Sequence, residues 1–437
     1  MQLNDRSLES IYKNEALAYA MYTVENRAIP NMIDGLKPVQ RFVMYRALLA
    51  ARGDKSKFHK VASIAGGVSD AGYHHGEGSA QSACALMANT WNNNTPLLDG
   101  EGNFGSRLIQ EGAAARYVFA RVSQNWWNIY KDTEYAPKHE DEEHKPPAYY
   151  LPLVPTVLSN GVSGIATGYA TSILPHSLAS ITKATIQAIQ GKKISEPIVQ
   201  FPAWHGQIIE NDEGQFACGT FERQGKTKLR ITEIPPKFDR IKYIKVLDAL
   251  VDKGWITYED DSGKNRFFFD VTLRKEFTQR DDDEVIMKEF KLRQKISQNI
   301  VVINGHGKLV EYEKASDLIK DFVEFRMPYV QARIDNKLEE TKQAYLLATA
   351  KARFIARVLK NEIVISGRKK AEVIADIESY DELKEFSDKL ISMNLYHITA
   401  EEARKLVEDA KASREQHEYW LNTTAEIEYT NDLKAIK

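Results

Sequence analysis

The chain has 437 residues with a formal net charge of −2, and 43% of them are hydrophobic and 27% are charged. This size and balance predict two or three folded domains and exclude a disordered chain, while no apolar run approaches the roughly 20 residues of a membrane helix. The first ten residues lack the pattern of a signal peptide, and two cysteines, Cys84 and Cys218, allow neither a disulfide framework nor a zinc cluster, so we expect a cytoplasmic protein.

The first 26 residues are predicted to form a helical arm. Their apolar side chains recur every three or four residues, which is the spacing of one face of a helix. These side chains are Leu8, Ile11, Tyr12, Ala16 and Tyr19.

Basic residues are concentrated after this arm, although the net charge is slightly negative. Eight of them lie between positions 27 and 60, where only Asp34 and Asp54 oppose them. Such a cluster is typical of a surface that binds phosphates, and the alternative is a solvated basic face. The eight residues are Arg27, Lys37, Arg41, Arg46, Arg52, Lys55, Lys57 and Lys60.

The same region is predicted to contain a helix-turn-helix. Pro38 fits the first turn of a helix that runs to about Ala51, and residues 61–69 suit a short helix. Glycines then break the chain before Ser79, which is predicted to cap a helix that ends near Trp91. The second helix of such a unit enters the major groove of DNA, and the glycine-bearing residues 97–119 are predicted to supply a wing.

The remainder divides by composition into a connector, a β-rich region and a helical region. Residues 132–148 form an acidic connector, residues 150–310 alternate short β-rich runs with turns, and Thr399–Glu402 resembles a capping box before a long helix. An earlier helix has a 4-3-4-3 apolar spacing, which predicts a coiled-coil seam and an antiparallel helical arm. The seam residues are Ile334, Leu338, Thr341, Tyr345, Ala348, Ala352, Ile355 and Leu359.

Arg116 and Tyr117 form the pair of residues with the clearest chemical potential. A phenol is a weak nucleophile near neutral pH, and an adjacent guanidinium favours the phenolate and can also hold a phosphate oxygen. The pair therefore suits attack on a phosphodiester and retention of the phosphate as a covalent ester. By itself an Arg-Tyr dipeptide is more often ordinary packing.

Two further features bear on binding. Ile165 lies among the glycines at positions 161, 164 and 168, so it is either a buried strand residue or an exposed wedge that enters between base pairs. The acidic runs 259–261 and 281–284 are interpreted as solvated loops and not as metal sites. No phosphate-binding loop for ATP is present in the sequence.

Several motifs together resemble the breakage-reunion subunit of type IIA DNA topoisomerases, in that family's order and spacing. Two segments, Tyr73-His-His-Gly-Glu77 and residues 151–161, are closer in sequence to the eukaryotic branch of the family. The short length of the chain is similar to that of phage-encoded members. The motifs are Arg27-Ala-Ile-Pro30, Asp34-Gly-Leu-Lys-Pro-Val-Gln-Arg41, Tyr73-His-His-Gly-Glu77, Gly102-Asn-Phe-Gly105, Ala115-Arg-Tyr117 and Ser159-Asn-Gly-Val-Ser-Gly-Ile-Ala-Thr-Gly168.

The resemblance implies an α+β fold with four parts. Residues 1–26 would be the helical arm, 27–150 a winged-helix DNA-binding and cleavage domain that carries the tyrosine, 151–325 an α/β tower domain, and 326–437 an antiparallel coiled coil with a dimerisation end.

The resemblance also implies roles for individual residues. Tyr117 would be the nucleophile that forms a 5′-phosphotyrosine link, Arg116 would stabilise the scissile phosphate, and His75 would lie at the cleavage site. The other implied DNA-binding residues are Arg27, Lys37, Arg41, His74, Ile165 and Asn103, although for Asn103 a structural turn is an equal alternative.

The implied function is cleavage and rejoining of double-stranded DNA within an ATP-dependent type II topoisomerase. The chain would form a homodimer, and Mg²⁺ and ATP would be bound by partner subunits, a Toprim-type metal-binding module and an ATPase, in the host cytoplasm if the chain is phage-encoded. The alternative is a non-catalytic helix-turn-helix architectural protein, which would leave Arg116-Tyr117 unexplained. A tyrosine recombinase is disfavoured because its spread of Arg-His-Arg residues is missing.

Overall fold

The computed structural model describes residues 15–263, 266–279, 281–393 and 400–436. The chain divides into two compact units, Met1–Arg326 with Asp432–Lys437, and Met327–Asn431. No helix in these described ranges is long and apolar enough to cross a membrane.

The N-terminal part of the first unit combines helices with a small antiparallel sheet. The sheet has the strand order β1-β3-β2, in which Ala120 of the central strand faces His59 on one side and Gly100 on the other. In chain order the elements are α1 (Leu17–Thr23), α2 (Pro38–Ala51), β1 (His59–Lys60), α3 (Val61–Gly66), α4 (Glu77–Ala88), β2 (Leu98–Glu101) and β3 (Phe119–Val122).

The structure confirms the bounds of α2 and changes those of α4. Pro38 is the first residue of α2 and Ala51 the last. Helix α4 begins two residues before the predicted cap Ser79, because Gly76 already has extended backbone and serves as the N-cap. The Ser79 hydroxyl instead donates to the Gly76 carbonyl oxygen at 2.7 Å, and the helix ends three residues before Trp91.

The arm is described only from residue 15. Helix α1 continues into a π-helical segment, Val24–Ala28, and Val24 packs with Ile29 and Val301. The predicted arm residues Leu8, Ile11 and Tyr12 lie outside the described residues.

The middle of the chain is a series of short helices and antiparallel β-strands. They are α5 (Gln124–Ile129), α6 (Thr156–Asn160), β4 (Val162–Ile165), β5 (Ala170–Ile173), α7 (Leu178–Ile189), β6 (Gln207–Asn211), β7 (Gly214–Cys218), β8 (Thr220–Arg223), β9 (Lys228–Glu233), α8 (Arg240–Asp252), β10 (Ile256–Asp260), β11 (Phe269–Leu273), α9 (Asp283–Glu289), β12 (Arg293–Ile296), β13 (Ile300–Ile303) and β14 (Leu309–Tyr312).

These strands form four sheets, and one of them carries a hydrophobic core. Its strand order is β10-β11-β9-β8, and buried side chains alternate along β9 and β11 as expected for a sheet with one buried face. Ile231, Phe269 and Val271 pack there with Tyr243 of α8. The others are a three-stranded sheet (β12-β7-β6) and the two hairpins β13-β14 and β4-β5.

The acidic runs are more ordered than the solvated loops that the sequence suggested. Asp260 is the last residue of β10 and accepts a hydrogen bond from Arg240 at 2.8 Å. Asp282 caps α9 by accepting from the backbone amides of Glu284 and Val285. Asp260 therefore pairs with a neighbouring cation, and Asp282 accepts hydrogen bonds from amides at the start of a helix.

The second unit is helical. Helix α10 (Ala315–Leu359) begins in the first unit and continues into the second, where α11 (Lys370–Glu378), α12 (Asp381–Lys384), α13 (Ser387–Ile391) and α14 (Ala400–Asn422) follow, and α15 (Ala425–Lys434) ends the described helices. The Thr341 hydroxyl lies 3.4 Å from Nδ1 of His417, whereas Leu406 packs against the cluster around Phe354. Later residues of α10 thus meet earlier residues of α14, so the two helices are antiparallel.

The side chains of the predicted seam of α10 are buried only in part. Ile334, Thr341 and Ile355 are buried, but Leu359 is 44% exposed. Phe354, which the 4-3-4-3 spacing omits, is buried instead because α11 to α13 cover that face. The predicted capping residue Thr399 lies outside the described residues.

Candidate active site

Arg116 and Tyr117 lie on the loop that leads into β3, and the backbone of this loop is fixed to α3. The amide of Val61 donates to the carbonyl oxygen of Val118 at 3.0 Å, and that of Ala62 donates to Ala115 at 3.2 Å. The Tyr117 amide closes a turn onto Ala114. Backbone hydrogen bonds therefore fix the position of Tyr117, and its side chain extends from this loop towards solvent.

The side chains of this pair face solvent. Tyr117 is 65% exposed, and the guanidinium carbon of Arg116 lies 4.7 Å from the centre of its ring. A phenol at this position is accessible to a phosphodiester. The guanidinium of Arg116 lies close enough to the phenol to stabilise negative charge that develops at phosphorus.

The glycine-rich loop before this pair is held by its own hydrogen bonds. The Asn103 side-chain oxygen accepts from the Gly105 amide at 2.9 Å, and its backbone oxygen accepts from Ala113 at 2.8 Å. The Ser106 hydroxyl oxygen accepts from the Ile109 amide. Asn103 therefore has a structural part in this turn, and its predicted DNA contact stays a prediction.

His74 and His75 lie on the turn before α4. Gly72 precedes them with φ +98°, and a Cβ there would lie 2.2 Å from the Glu143 carbonyl oxygen, so the acidic connector packs directly against this turn. Nε2 of His74 is 3.8 Å from the Glu143 carboxylate in an exposed pair. The connector is thus part of the site's surroundings, which the sequence did not indicate.

The ring of His75 has two aromatic neighbours. Its Nε2 is 2.8 Å from the hydroxyl of Tyr22 in α1, and its ring centre is 5.3 Å from that of Tyr73. Sequence reasoning missed Tyr22 because it is 53 positions away and the helical spacing assigned it no role.

Arg27, Lys37 and Ile165 are brought together around one groove of about 570 Å³, which Tyr19 and Thr23 also line. The Lys37 ammonium donates to the Ser163 carbonyl oxygen at 2.8 Å, and burial lowers the pKa of Lys37. One cation of the groove therefore also holds the first strand of the β4-β5 hairpin.

Ile165 ends β4 and is 89% exposed. Gly164 allows this hairpin to approach the Arg27 segment, because a Cβ at that position would lie 2.1 Å from the Ala28 carbonyl oxygen. The alternative of a buried strand residue is therefore excluded for Ile165.

Arg41 is buried, which does not suit the predicted contact with a DNA phosphate. It is 5% exposed, and its Nε and Nη2 donate to the two carboxylate oxygens of Asp34 at 2.8 and 3.0 Å. Asp34 also accepts from the backbone amides of Leu36 and Tyr150. A charge so deeply buried needs a paired and hydrogen-bonded partner, so Arg41 stabilises the turn before α2 and does not present a free guanidinium to solvent.

Within the described ranges, no group of three or more His, Cys, Asp or Glu residues could hold a metal ion. Among the described residues, Tyr117 therefore has no such group beside it.

A family model that describes the A subunits of DNA gyrase and topoisomerase IV matches residues 27–435. The chain belongs to this family. It is 59% identical over 443 aligned positions to the DNA topoisomerase medium subunit of Enterobacteria phage T4, with 100% of both chains covered. It is 30% identical to DNA topoisomerase 2 of Arabidopsis thaliana, covering 83% of this chain but 26% of the plant enzyme. The chain thus spans the whole phage relative and about a quarter of the plant one.

A solved structure supports the same assignment. The DNA-binding, cleavage and re-ligation domain of Plasmodium falciparum topoisomerase II aligns with a TM-score of 0.81 at 26% identity, over 98% of this chain and 63% of the other. The predicted mixed α and β fold is confirmed at this level. The predicted role as a DNA cleavage and rejoining subunit of a type II topoisomerase, active with partner subunits, is confirmed by family membership, and the purely architectural alternative is disfavoured.

Proposed function

We propose that Tyr117 is the nucleophile of this topoisomerase subunit. Its phenolic oxygen attacks the phosphorus of a DNA phosphodiester, the bond from phosphorus to the 3′ oxygen breaks, and the 5′ phosphate stays on the tyrosine. The phenol loses its proton and the departing 3′ oxygen gains one, so the reverse attack of that hydroxyl rejoins the strand. The observation that carries the proposal is the exposed phenol on a backbone fixed to α3.

Cations are proposed to bind the DNA around this tyrosine. Arg116 lies beside the Tyr117 ring and would stabilise the negative charge of the phosphoryl centre. Arg27 and Lys37 share one groove and would hold neighbouring backbone phosphates, as contacts that position the duplex. His74 and His75 would donate to phosphate oxygens from the exposed turn before α4.

Ile165 is proposed to act as a wedge in the duplex. Its side chain is almost fully exposed at the end of a narrow hairpin, and it borders the groove that contains Arg27 and Lys37. Partial unstacking of a base step costs a few kcal/mol, which contacts to the bent DNA recover.

The domain boundaries and the finer fold names are part of the same proposal. Residues 1–26 would be the arm, and residues 27–150 a winged-helix domain, supported by α3, α4 and the small β1-β3-β2 sheet. Residues 151–325 would be the tower. Residues 326–437 would be the coiled coil and dimerisation end, supported by the antiparallel contact of α10 and α14 and by the division after Arg326.

Partner chains are proposed to supply what this chain lacks. Family membership implies Mg²⁺ and ATP on the complex, and we assign them to a Toprim-type metal-binding module and an ATPase module on one or two partner chains, in a homodimeric assembly that is in the host cytoplasm if the chain is phage-encoded. Magnesium ions would neutralise charge at the scissile phosphate, and Arg116 and its neighbouring cations supply this chain's own share.

Tyr117→Phe in the assembled enzyme tests the proposed nucleophile. Denaturing an ongoing reaction should trap a covalent protein–DNA adduct with the unmodified chain and none with this variant. DNA affinity should be nearly unchanged, because phosphate contacts and not the hydroxyl supply binding. Tyr169→Phe is a matched control, since Tyr169 is 53% exposed and should keep forming the adduct. An adduct with the Tyr117 variant would refute the assignment.

A further inference from the structure

The imidazole of His75 is held between two tyrosines of very different character. Tyr73 lies two positions earlier in the chain. It makes an edge contact with the imidazole, with 5.3 Å between the ring centres. Tyr22 comes from α1 and its hydroxyl lies 2.8 Å from Nε2. The two tyrosines contact the ring in different ways, one through its edge and one through a hydrogen bond.

The Tyr73 side of this arrangement is built into the fold. Tyr73 is 9% exposed, its hydroxyl lies 2.8 Å from that of Ser79 in α4, and its ring is 5.3 Å from the ring of Phe42 in α2. The hydroxyl of Tyr73 thus contacts α4 and its ring contacts α2, so these helices fix the position of the ring beside His75.

Tyr22 is more exposed to solvent than Tyr73, and it contacts a single atom of the imidazole. Tyr22 is 39% exposed, and its phenol contacts His75 from a helix that precedes the DNA-binding motifs. The ring of Tyr73 can limit where the imidazole lies. Of the two tyrosines, it is Tyr22 that forms a hydrogen bond with His75, and this bond engages one ring nitrogen, Nε2.

We propose that Tyr22 is a positioning residue for His75. Its hydroxyl donates to Nε2, so the proton of the neutral imidazole resides on Nδ1. Nδ1–H is then the ring group that donates to a phosphate oxygen. The inference rests on the proposed contact of His75 with DNA, and it adds which nitrogen makes that contact and what selects it.

The proposal gives α1 a part in cleavage without any contact to DNA by Tyr22. A hydrogen bond to the far nitrogen of a functional histidine fixes its tautomer and its ring orientation, as partners behind metal-bound histidines do. Loss of the hydroxyl leaves the imidazole free to carry its proton on Nε2 and to turn, so the phosphate donor is present for less of the time.

Tyr22→Phe removes the hydroxyl and keeps the ring. In the assembled enzyme we expect the single-turnover rate of DNA cleavage to fall about 3- to 10-fold, the effect of one neutral hydrogen bond, while DNA affinity changes less than about twofold. Met21→Leu on the same helix is the matched control, because Met21 is 53% exposed and outside the groove described above; it should cleave at the unmodified rate.

The tautomer of His75 gives a readout that a merely structural role would not change. Nitrogen NMR of the full chain with labelled histidine, with the signal identified by its loss in His75→Gln, should show the proton on Nδ1 in the unmodified chain and a shift towards Nε2 in Tyr22→Phe. An unaltered tautomer in Tyr22→Phe overturns the proposal.

A double variant separates the inference from the function on which it rests. If Tyr22 acts through His75, Tyr22→Phe in a His75→Gln background should cost nothing further, and multiplied losses would overturn the inference. If His75→Gln alone cleaves at the unmodified rate, the proposed role of His75 fails, and the NMR result still decides whether Tyr22 sets the tautomer.

Discussion

An arginine and tyrosines lie together in two regions of this molecule, with opposite surroundings. Arg41 is buried with Asp34, whose backbone oxygen accepts from the Tyr130 hydroxyl at 3.0 Å, and burial raises the pKa of Tyr130 well above its ordinary value. Arg116 and Tyr117 face solvent on a held loop. The same residue types therefore support the fold in one place and present an exposed phenol in the other, and burial with a carboxylate partner distinguishes the two.

The largest expected effect comes from exchanging the two arginines for methionine one at a time. Arg41→Met leaves Asp34 buried without its ion-pair partner, and the free energy of unfolding should fall by about 3 to 5 kcal/mol. Arg116→Met should change it by less than about 0.5 kcal/mol and should reduce cleavage instead. Chemical denaturation of both variants, with cleavage assayed in the assembled enzyme, measures the difference.

A stable Arg41→Met chain with weaker DNA binding and a flatter salt dependence would break the comparison. That result would return Arg41 to the phosphate-binding surface.

Two isoleucines of the β4-β5 hairpin sharpen the comparison for apolar residues. Ile165→Ala should leave stability unchanged within about 0.5 kcal/mol but should reduce DNA bending and lower cleavage by about tenfold or more, since it removes the proposed wedge. Ile173 is 4% exposed, so Ile173→Ala should cost about 2 to 5 kcal/mol of stability. Energy transfer between the ends of a labelled duplex reports the bend in the assembled enzyme, and equal bend angles would count against the wedge.

The smallest expected effect concerns His144, which is half-buried, unlike the exposed His74 and His75. Burial, with the nearby His139, lowers the pKa of His144 to about 4. The unfolded chain therefore binds more protons between about pH 6.5 and 4, and stability present above pH 6.5 is lost as the pH falls through this window. Since the ring is partly exposed, we expect about 1 kcal/mol, or about 1 °C in the melting temperature of a chain of this size.

Melting curves at pH 7 and pH 5 measure this loss. His144→Phe keeps an aromatic ring between Phe42 and His139 and should remove this component of the pH dependence. An equal acid loss in the variant would assign it to other groups.

Local rules succeeded where a few neighbouring residues decide the structure. Pro38 has no amide hydrogen to lose in the first turn of a helix, and α2 begins there as predicted. The glycines around Ile165 left open whether it is buried or exposed, and the β4-β5 hairpin exposes it. The cap of α4 was misplaced by three residues, at Ser79 and not at Gly76, because a glycine with extended backbone competes with serine as a cap.

The sequence by itself determined the order of the motifs, the α2 helix and the candidate nucleophile, because each depends on residues close together in the chain. Only the tertiary structure decided which charges are buried, since Arg41 is paired by Asp34 within a network that includes Tyr150, 116 positions from Asp34. It likewise brought Tyr22 to His75 across 53 positions. Long-range pairing of polar groups depends on how helices pack, and helical periodicity alone carries no information about which polar side chains then meet.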